Sequence, residues 1–261
     1  MPAMNSDAHV PEWTLISLRP RGQHAPLRRA AQATGARVLA LSPWALQVRA
    51  DAATRAQLSR ALAAQRVVFS SPAAVHAAAR LQPLAGAHPG TWLAVGAGTA
   101  AALRMHGAEE VQAPARMDSE GLLALPALAD LRGLEAGLVT APGGRGIIAT
   151  TLVERGAHLH RADVYQRVPL ALPARTLQRL RHSAPPWVLA LSSGEALALL
   201  LAALPQDLQA PLREAVVVAA SARLAEQARA AGFARVRLAE GPLPRQLAQA
   251  AHAAIITTAT S

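Results

Sequence analysis

Short apolar runs alternate with helix-like segments along the whole chain. Apolar runs bounded by turn residues are typical of buried strands, whereas apolar residues spaced at helical intervals are typical of helices. The apolar runs predict ten strands, at residues 15–18, 37–41, 67–70, 92–95, 110–113, 138–141, 158–162, 188–191, 215–219 and 235–238. Because helical patterns separate most of these runs, we expect parallel α/β sheets.

Four glycines mark the ends of predicted helices. Gly35, Gly107, Gly156 and Gly232 each follow a helical pattern and precede a predicted strand. Glycine adopts the left-handed backbone conformation that commonly ends a helix, because it has no Cβ atom. We therefore expect each of the four to terminate its helix.

The pattern of the first half of the chain returns in the second half. The stretches "VVFSSPAAV" from Val67 and "VLALSSGEAL" from Val188 both join an apolar run, two serines, a turn residue and a helical pattern. The matching glycines are also about 120 residues apart, both from Gly35 to Gly156 and from Gly107 to Gly232. This spacing is far longer than the repeat of a solenoid protein. The pattern thus predicts an internal duplication that gives two similar five-stranded parallel-sheet domains.

The composition is that of a globular protein. Hydrophobic residues make up 52% of the 261 residues and there is no cysteine, which excludes disulfides and thiolate metal sites. The first residues are polar, and no run of about 18 uncharged apolar residues occurs. These features predict neither an export signal nor a membrane-spanning helix, so we expect a cytoplasmic protein.

The formal net charge is +10, and every fixed positive charge is an arginine. One interpretation is an anionic partner, since arginine binds carboxylates and phosphates through two parallel hydrogen bonds. The other is a GC-rich coding bias that raises arginine and alanine together. Nucleic acid is not expected, because aromatic residues make up only 3% of the chain and leave little for base stacking.

An ordered set of motifs gives the chain a family resemblance. "LRP" follows the first strand, "FSSPAAV" the third, and "VGAGTAAAL", "PGGRG" and "GAHLHRADVYQRVP" come later in the same order. Along nearly its whole length the chain resembles the uroporphyrinogen-III synthase family. The resemblance implies a chain that begins in one domain, crosses to build the other domain whole, and then returns. Together with the duplication it predicts that the strands at residues 15–18 and 37–41 pair with the strand at 188–191 and not with the one at 67–70.

The domain boundaries follow from this resemblance. One domain is expected to comprise residues 1–44 and 168–261, and the inserted domain residues 45–164. The crossings, at about 42–50 and 163–170, alternate in polarity and contain a proline, as in a short exposed two-stranded connection. A cleft between the two domains is the expected ligand site.

The family resemblance also implies an activity. The family cyclises hydroxymethylbilane, a linear tetrapyrrole, with loss of water and inversion of ring D to give uroporphyrinogen III. The reaction needs no cofactor, and the enzyme is expected to act as a monomer. The substrate carries carboxylates on every ring, which would give the positive charge of the chain a partner.

Tyr165 is the candidate catalytic residue. It is the single tyrosine of the chain, and it matches the family's catalysis-linked tyrosine in the motif V-Y-x-R. A phenol hydroxyl can donate a proton to a departing hydroxyl group. The alternative is an aromatic residue that only packs at the domain crossing.

Glycine-rich turns supply candidate substrate-binding groups. Gly96, Gly98 and Thr99 lie where a strand leads into a helix, and free N–H groups there can bind an anion. Thr99 can also cap this helix. Ser221 takes the equivalent position in the second copy. The same turn fits the dinucleotide pattern G-x-G-x-x-A, but no acidic residue ends the next predicted strand.

Serines and arginines at strand ends complete the candidate site. Ser71 and Ser193 are expected to cap the helices that follow them, and Ser71, Ser192 and Ser193 to contact substrate. Arg19 and Arg145 are candidates to bind carboxylates. His158 and His160 share one strand face but lack a third ligand, so no metal is predicted.

Two alternative functions stay open on the sequence. One is a two-domain protein that binds an anionic ligand without catalysis. The other is a nucleotide-dependent oxidoreductase, which the glycine-rich turn at residues 96–102 alone suggests.

Overall fold

The computed structural model describes residues 13–86, 90–143 and 146–259, apart from the side chains of residues 258 and 259. The strands are β1 (Thr14–Ser17), β2 (Arg37–Ala40), β3 (Trp44–Val48), β4 (Arg66–Phe69), β5 (Thr91–Ala94), β6 (Val111–Gln112), β7 (Glu135–Thr140), β8 (His158–Asp163), β9 (Tyr165–Pro169), β10 (Trp187–Leu191), β11 (Val216–Ala219) and β12 (Val236–Leu238). The helices are α1 (Ala25–Gln32), α2 (Ala52–Leu62), α3 (Pro72–Leu81), α4 (Ala97–Met105), α5 (Ser119–Leu123), α6 (Ile147–Glu154), α7 (Ala174–Arg181), α8 (Gly194–Ala203), α9 (Gln206–Arg213), α10 (Ala222–Ala230) and α11 (Pro244–Ala259).

The described chain divides into two compact units. The split unit holds the residues up to Ala45 together with those from Val168 onward, and the inserted unit runs from Leu46 to Arg167. The split unit contains a parallel sheet of order β12-β11-β10-β1-β2, and the inserted unit one of order β6-β5-β4-β7-β8. The α/β prediction of two five-stranded parallel sheets is confirmed.

All ten predicted strands are present in these two sheets. The largest difference is β7, which begins at Glu135 rather than at residue 138. Glu135 and Gly137 interrupt the apolar pattern there. A Cβ atom on Gly137 would lie 1.9 Å from the carbonyl oxygen of Ala61, so the glycine lets α2 pack directly on the strand.

The strand pairing follows the split chain order. β1 pairs with β10, with Leu15 opposite Val188, which confirms the pairing predicted for residues 15–18. The prediction for residues 37–41 is wrong in detail, because β2 pairs with β1 and does not lie next to β10. β3 and β9 form a separate small antiparallel sheet, which confirms the predicted two-stranded crossover.

Helices cover both faces of the inserted sheet. Val67 and Phe69 pack with buried residues of α2, α3 and α4, whereas Val68 and Leu138 pack with residues of α5 and α6. Strands buried on both faces read as continuous apolar runs, which is why the sequence pattern located them well. In the split unit, α1 and α11 cover one face of the sheet through residues such as Leu27 and Ile255.

The four glycines predicted to end helices all have positive φ, between 70° and 91°. They are Gly35, Gly107, Gly156 and Gly232, and each prediction is confirmed. In the described part of the chain, no helix is long and apolar enough to cross a membrane.

Candidate functional site

The carboxyl ends of the strands of the inserted unit surround a cavity of about 220 Å³. Ligands of open α/β sheets bind at this edge, because loops and helix N-termini converge there. The wall of the cavity is partly apolar and partly polar. Its polar residues are Ser70, Ser71, Ser119, Thr140, Arg161, Tyr165 and Arg167.

Tyr165 is buried in the wall of this cavity, with only 5% of its surface exposed. Its hydroxyl lies 3.3 Å from the Oγ atom of Ser71. Ser71 precedes α3, and its Oγ accepts a hydrogen bond of 3.1 Å from the N–H of Ala74. The predicted capping by Ser71 is therefore confirmed, and the same hydroxyl also places the phenol.

A second pair of hydroxyls joins neighbouring strand ends. Ser70 follows β4, and its Oγ donates a 2.7 Å hydrogen bond to Oγ1 of Thr140, the last residue of β7. The backbone N–H of Ser70 also donates to the carbonyl of Val139. These bonds fix the two strand ends beside the cavity, so the hydroxyl groups present a defined polar surface.

Arg161 and Arg167 also line the cavity, and sequence reasoning did not select either of them. Arg161 donates from Nε to Oδ1 of Asp163 at 3.0 Å and from Nη2 to the carbonyl of Ala141 at 3.3 Å. Residues 161, 163, 165 and 167 are spaced by two. In an extended chain such residues lie on one face, and this spacing is the signal that could have found the arginines.

The turn before α4 differs from the prediction. The helix begins after Gly96, which is its N-cap residue and makes no side-chain capping bond. Thr99 lies inside the first turn and is 2% exposed, so its predicted role as a cap is wrong. Among the described residues, the cavity wall reaches Val95 but not Gly96, Gly98 or Thr99.

A close contact explains the glycine at position 96. A Cβ atom there would lie 2.9 Å from Cβ of Met117, in the segment that leads to α5. The segment therefore packs over the start of α4, and only a residue without a side chain leaves room for it.

The turn before α6 contains the glycine-rich motif "PGGRG" at residues 142–146. Gly143 and Gly146 line the cavity and have φ of +87° and +69°, a conformation that a side chain disfavours. Gly146 is the N-cap of α6. Arg145 lies outside the described residues.

The other predicted site residues belong to the split unit. Ser193 caps α8 by accepting from the N–H of Ala196 at 3.3 Å, and Ser221 caps α10 by accepting from Leu224 at 3.4 Å. The predicted capping by Ser193 is thus confirmed. Ser192 is half-buried between β10 and Ser193. All three serines follow the carboxyl ends of β10 and β11.

Arg19 lies two residues beyond β1, at the same edge of the split unit. Its side chain is half-buried, and this burial lowers the pKa of the guanidinium from its ordinary value. Among the described residues it has no ion pair and no side-chain hydrogen bond. A partly desolvated cation without a partner is well suited to bind an anion.

The two histidines on β8 do not form a metal centre. His160 contacts the carboxylate of Glu135 on the adjacent strand. Within residues 13–86, 90–143 and 146–259, no group of three or more histidine, aspartate or glutamate side chains could hold a metal ion.

Two similar parallel sheets with polar residues at their carboxyl ends define an α/β protein of the class that binds small ligands at strand ends. Residues 25–249 match the family model described as uroporphyrinogen-III synthase HemD. The chain belongs to this family.

Relatives of known name agree with this assignment. Uroporphyrinogen-III synthases of Salmonella typhimurium and Escherichia coli are each 30% identical over 151 residues, which cover 57% of this chain and 61% of the relative. The match thus spans less than two thirds of the length of these relatives.

Solved structures show the same fold. A mutant uroporphyrinogen III synthase of Thermus thermophilus matches with a TM-score of 0.56 at 20% identity, covering 94% of this chain and 99% of that one. A uroporphyrinogen-III synthetase of Helicobacter pylori matches with a TM-score of 0.59 at 13% identity, covering 95% and 98%. At these identities the likeness concerns the fold alone.

Proposed function

We propose that this chain is a uroporphyrinogen-III synthase, a cofactor-independent lyase that converts hydroxymethylbilane to uroporphyrinogen III. Family membership supports the reaction class. The observation that carries the proposal is the cavity of the inserted unit, where the buried phenol of Tyr165 lies beside Ser71 and shares a wall with Arg161 and Arg167. This arrangement offers one proton donor together with cations for carboxylates.

The proposed chemistry begins with the loss of the substrate hydroxyl. Tyr165 donates a proton to this oxygen as the carbon–oxygen bond breaks, and water leaves with the bonding electrons. The adjacent pyrrole nitrogen supplies electrons, so that an electrophilic azafulvene forms from the substrate itself. No electrons are gained or lost overall, which is why the step requires no redox partner.

Ring closure follows from the same intermediate. The substituted carbon of ring D attacks the azafulvene and gives a spiro-pyrrolenine, which then rearranges to the ring-inverted macrocycle. A proton lost on rearomatisation balances the one that Tyr165 gave. The main task of the protein is to hold the two ends of the chain so that this carbon attacks first.

Arginines are proposed to hold the substrate carboxylates. Arg161 and Arg167 act at the cavity of the inserted unit, and Arg19 at the carboxyl edge of the split unit. A cavity of about 220 Å³ is smaller than the ~300–1,000 Å³ typical of sites for drug-sized ligands. It therefore takes one part of the tetrapyrrole, and other groups must bind the rest.

The serines and the turn glycines are proposed to assist through hydroxyl and N–H groups. Ser192, Ser193 and Ser221 surround helix N-termini of the split unit, where backbone N–H groups favour anions. We propose that the enzyme acts as a monomer on a small-molecule substrate. We infer that the two units are the two domains of the duplication.

Incubation with hydroxymethylbilane, followed by oxidation and separation of the porphyrin isomers, tests the proposal. Without an enzyme the substrate closes without inversion, so it yields the type I isomer. We expect the type III isomer to dominate when the protein is present. If only the type I isomer appears at the uncatalysed rate, the chain does not have this activity.

A further inference from the structure

His24 forms a buried polar cluster that sequence reasoning did not select. The residue precedes α1 and is 7% exposed. Its Nδ1 lies 2.9 Å from Oγ of Ser17, and its Nε2 lies 2.7 Å from Oγ of Ser42. Ser17 is the last residue of β1 and Ser42 follows β2. The imidazole therefore links the carboxyl ends of two adjacent strands.

The ring is held in its neutral form. Burial, followed by the charges of Arg28 and Arg19, lowers the pKa of His24 to about 4. Both ring nitrogens have a hydroxyl partner, and a serine hydroxyl can rotate to donate to one nitrogen or accept from the other. Because it is neutral and fully bonded, His24 is neither a proton donor at neutral pH nor an anion ligand.

The loop between β1 and α1 is fixed around Arg19. Within the loop, the N–H of Arg21 donates a 3.1 Å hydrogen bond to the carbonyl of Trp44. The N–H of Gln23 donates a 3.0 Å hydrogen bond to the carbonyl of Pro20. At its end the loop is tied to both strands by His24. A charged imidazole here would repel Arg19, whereas a neutral imidazole positions the loop without that cost.

Arg19 is the group in this loop that lacks a partner. It is half-buried, burial disfavours its charge, and no described carboxylate or carbonyl bonds to its side chain. An anion bound at Arg19 would offset the desolvation of the guanidinium. The other arginine near the histidine, Arg28, is exposed on α1 and can be solvated by water.

We propose that Arg19 is a carboxylate receptor at the carboxyl edge of the split unit, and that His24, bonded to Ser17 and Ser42, is the neutral residue that positions it. The identity of the carboxylate as a tetrapyrrole side chain rests on the proposed function. The binding of a carboxylate at Arg19 does not. His24 is a positioning residue and makes no contact with the reacting atoms.

Two readouts at constant ionic strength test this proposal. The first is KM and kcat with hydroxymethylbilane, and the second is the rise in melting temperature caused by citrate, a polycarboxylate that cannot react. We expect Arg19→Gln to raise KM about tenfold, since a hydrogen bond to a charged group is lost. We expect kcat to stay within about twofold and the citrate effect to fall by at least half. Arg29→Gln removes the same charge from an exposed position on α1, so it should keep the wild-type values.

Variants of His24 separate positioning from general stability. His24→Ala should raise KM about as much as Arg19→Gln, and the double variant should be no worse than either single one, because His24 acts through Arg19. His24→Asn and His24→Gln each place an amide where one ring nitrogen lies, so at least one should recover part of the affinity. If His24→Ala does not fold, Ser42→Ala gives the same comparison with a half-buried residue.

Three results would overturn the proposal. The first is an equal change in KM in Arg19→Gln and Arg29→Gln. The second is a double variant of His24 and Arg19 whose KM shows the two single changes added together. The third is a citrate-induced rise in melting temperature that Arg19→Gln leaves intact. If the chain makes no type III isomer, the proposed function fails, but the citrate experiment still decides whether Arg19 binds carboxylates.

Discussion

The two units have sheets of equivalent strand order, but the side chains at their carboxyl edges differ in chemistry. Thr140 ends β7 in the inserted unit, and Ser17 ends β1 in the split unit. Thr140 accepts a hydrogen bond from Ser70 beside a cavity that also holds Tyr165. Ser17 instead bonds to a buried imidazole that closes the loop over the strand ends. The edge of the inserted unit thus places a phenol in the wall of a cavity. The edge of the split unit instead holds Arg19, which has no side-chain partner among the described residues.

The serines that cap helices show the same divergence. Ser71 and Ser193 occupy matching turns, and each accepts a hydrogen bond from the N–H of the third residue of the helix that follows. Only Ser71 is within hydrogen-bond distance of a tyrosine among the described residues. The two turns therefore share the capping bond, while the chemistry depends on which residues the neighbouring strands bring to the turn.

The largest expected effect is the pH dependence of stability in the split unit. The pKa of His24 is about 4 when folded and close to 6.5 when unfolded, so the unfolded state binds the extra proton between these values. Stability is complete above pH 6.5 and falls as the pH drops to 4, by about 3 kcal/mol for this group. Chemical denaturation over this range measures it.

His24→Gln is the control for this pH effect. It removes the titrating group and should flatten most of the slope. A smaller slope should persist from the inserted unit, where burial and the charge of His106 lower the pKa of His76. An unchanged slope in His24→Gln would contradict the assignment.

The next effect concerns the phenol of the inserted unit. Tyr165→Phe removes the proposed proton donor and keeps the buried ring, so kcat should fall about 10–100-fold with little change in KM. The substrate hydroxyl leaves readily, which places the loss at the low end of acid catalysis. Circular dichroism should show an intact fold. Full activity in this variant would mean that geometry alone directs the ring inversion.

A smaller effect separates capping from catalysis at Ser71. Ser71→Ala and Ser193→Ala should each lower the free energy of unfolding by about 1 kcal/mol, because each loses an N-cap. Ser71→Ala should in addition lower kcat a few-fold, since the phenol loses its hydroxyl partner. Asp51→Ala removes the cap of α2, which bonds the N–H of Thr54 at 2.8 Å, and should leave kcat unchanged. Equal kcat values in Ser71→Ala and Asp51→Ala would count against a role for the Ser71–Tyr165 contact.

The smallest expected effect is that of salt. If the arginines of both edges bind carboxylates, KM should rise a few-fold between low and high ionic strength, because screening weakens attraction at exposed charges. Steady-state rates at several salt concentrations measure it. If KM does not change with ionic strength, the net charge of +10 reflects a bias in amino-acid composition and not substrate binding.

The sequence by itself determined the ten strands, the glycines that end helices and the serines Ser71 and Ser193 that begin them. These features depend on local periodicity and on bonds between residues a few positions apart. The family motif V-Y-x-R also made Tyr165 the candidate for catalysis. The wrong prediction that Thr99 caps α4 was also local. The cap residue is Gly96, three positions earlier, where Met117 packs so closely that only a glycine fits.

Only the tertiary structure decided which of these residues meet. Ser71 and Tyr165 are 94 residues apart, and Ser70 and Thr140 are 70 apart. Their contacts exist because parallel strands that are distant in sequence end at one edge of a sheet. His24 looked like an ordinary polar residue, since one serine that bonds it ends β1 and the other follows β2. Strand order is set by the packing of the whole core, so no local pattern could place these side chains together.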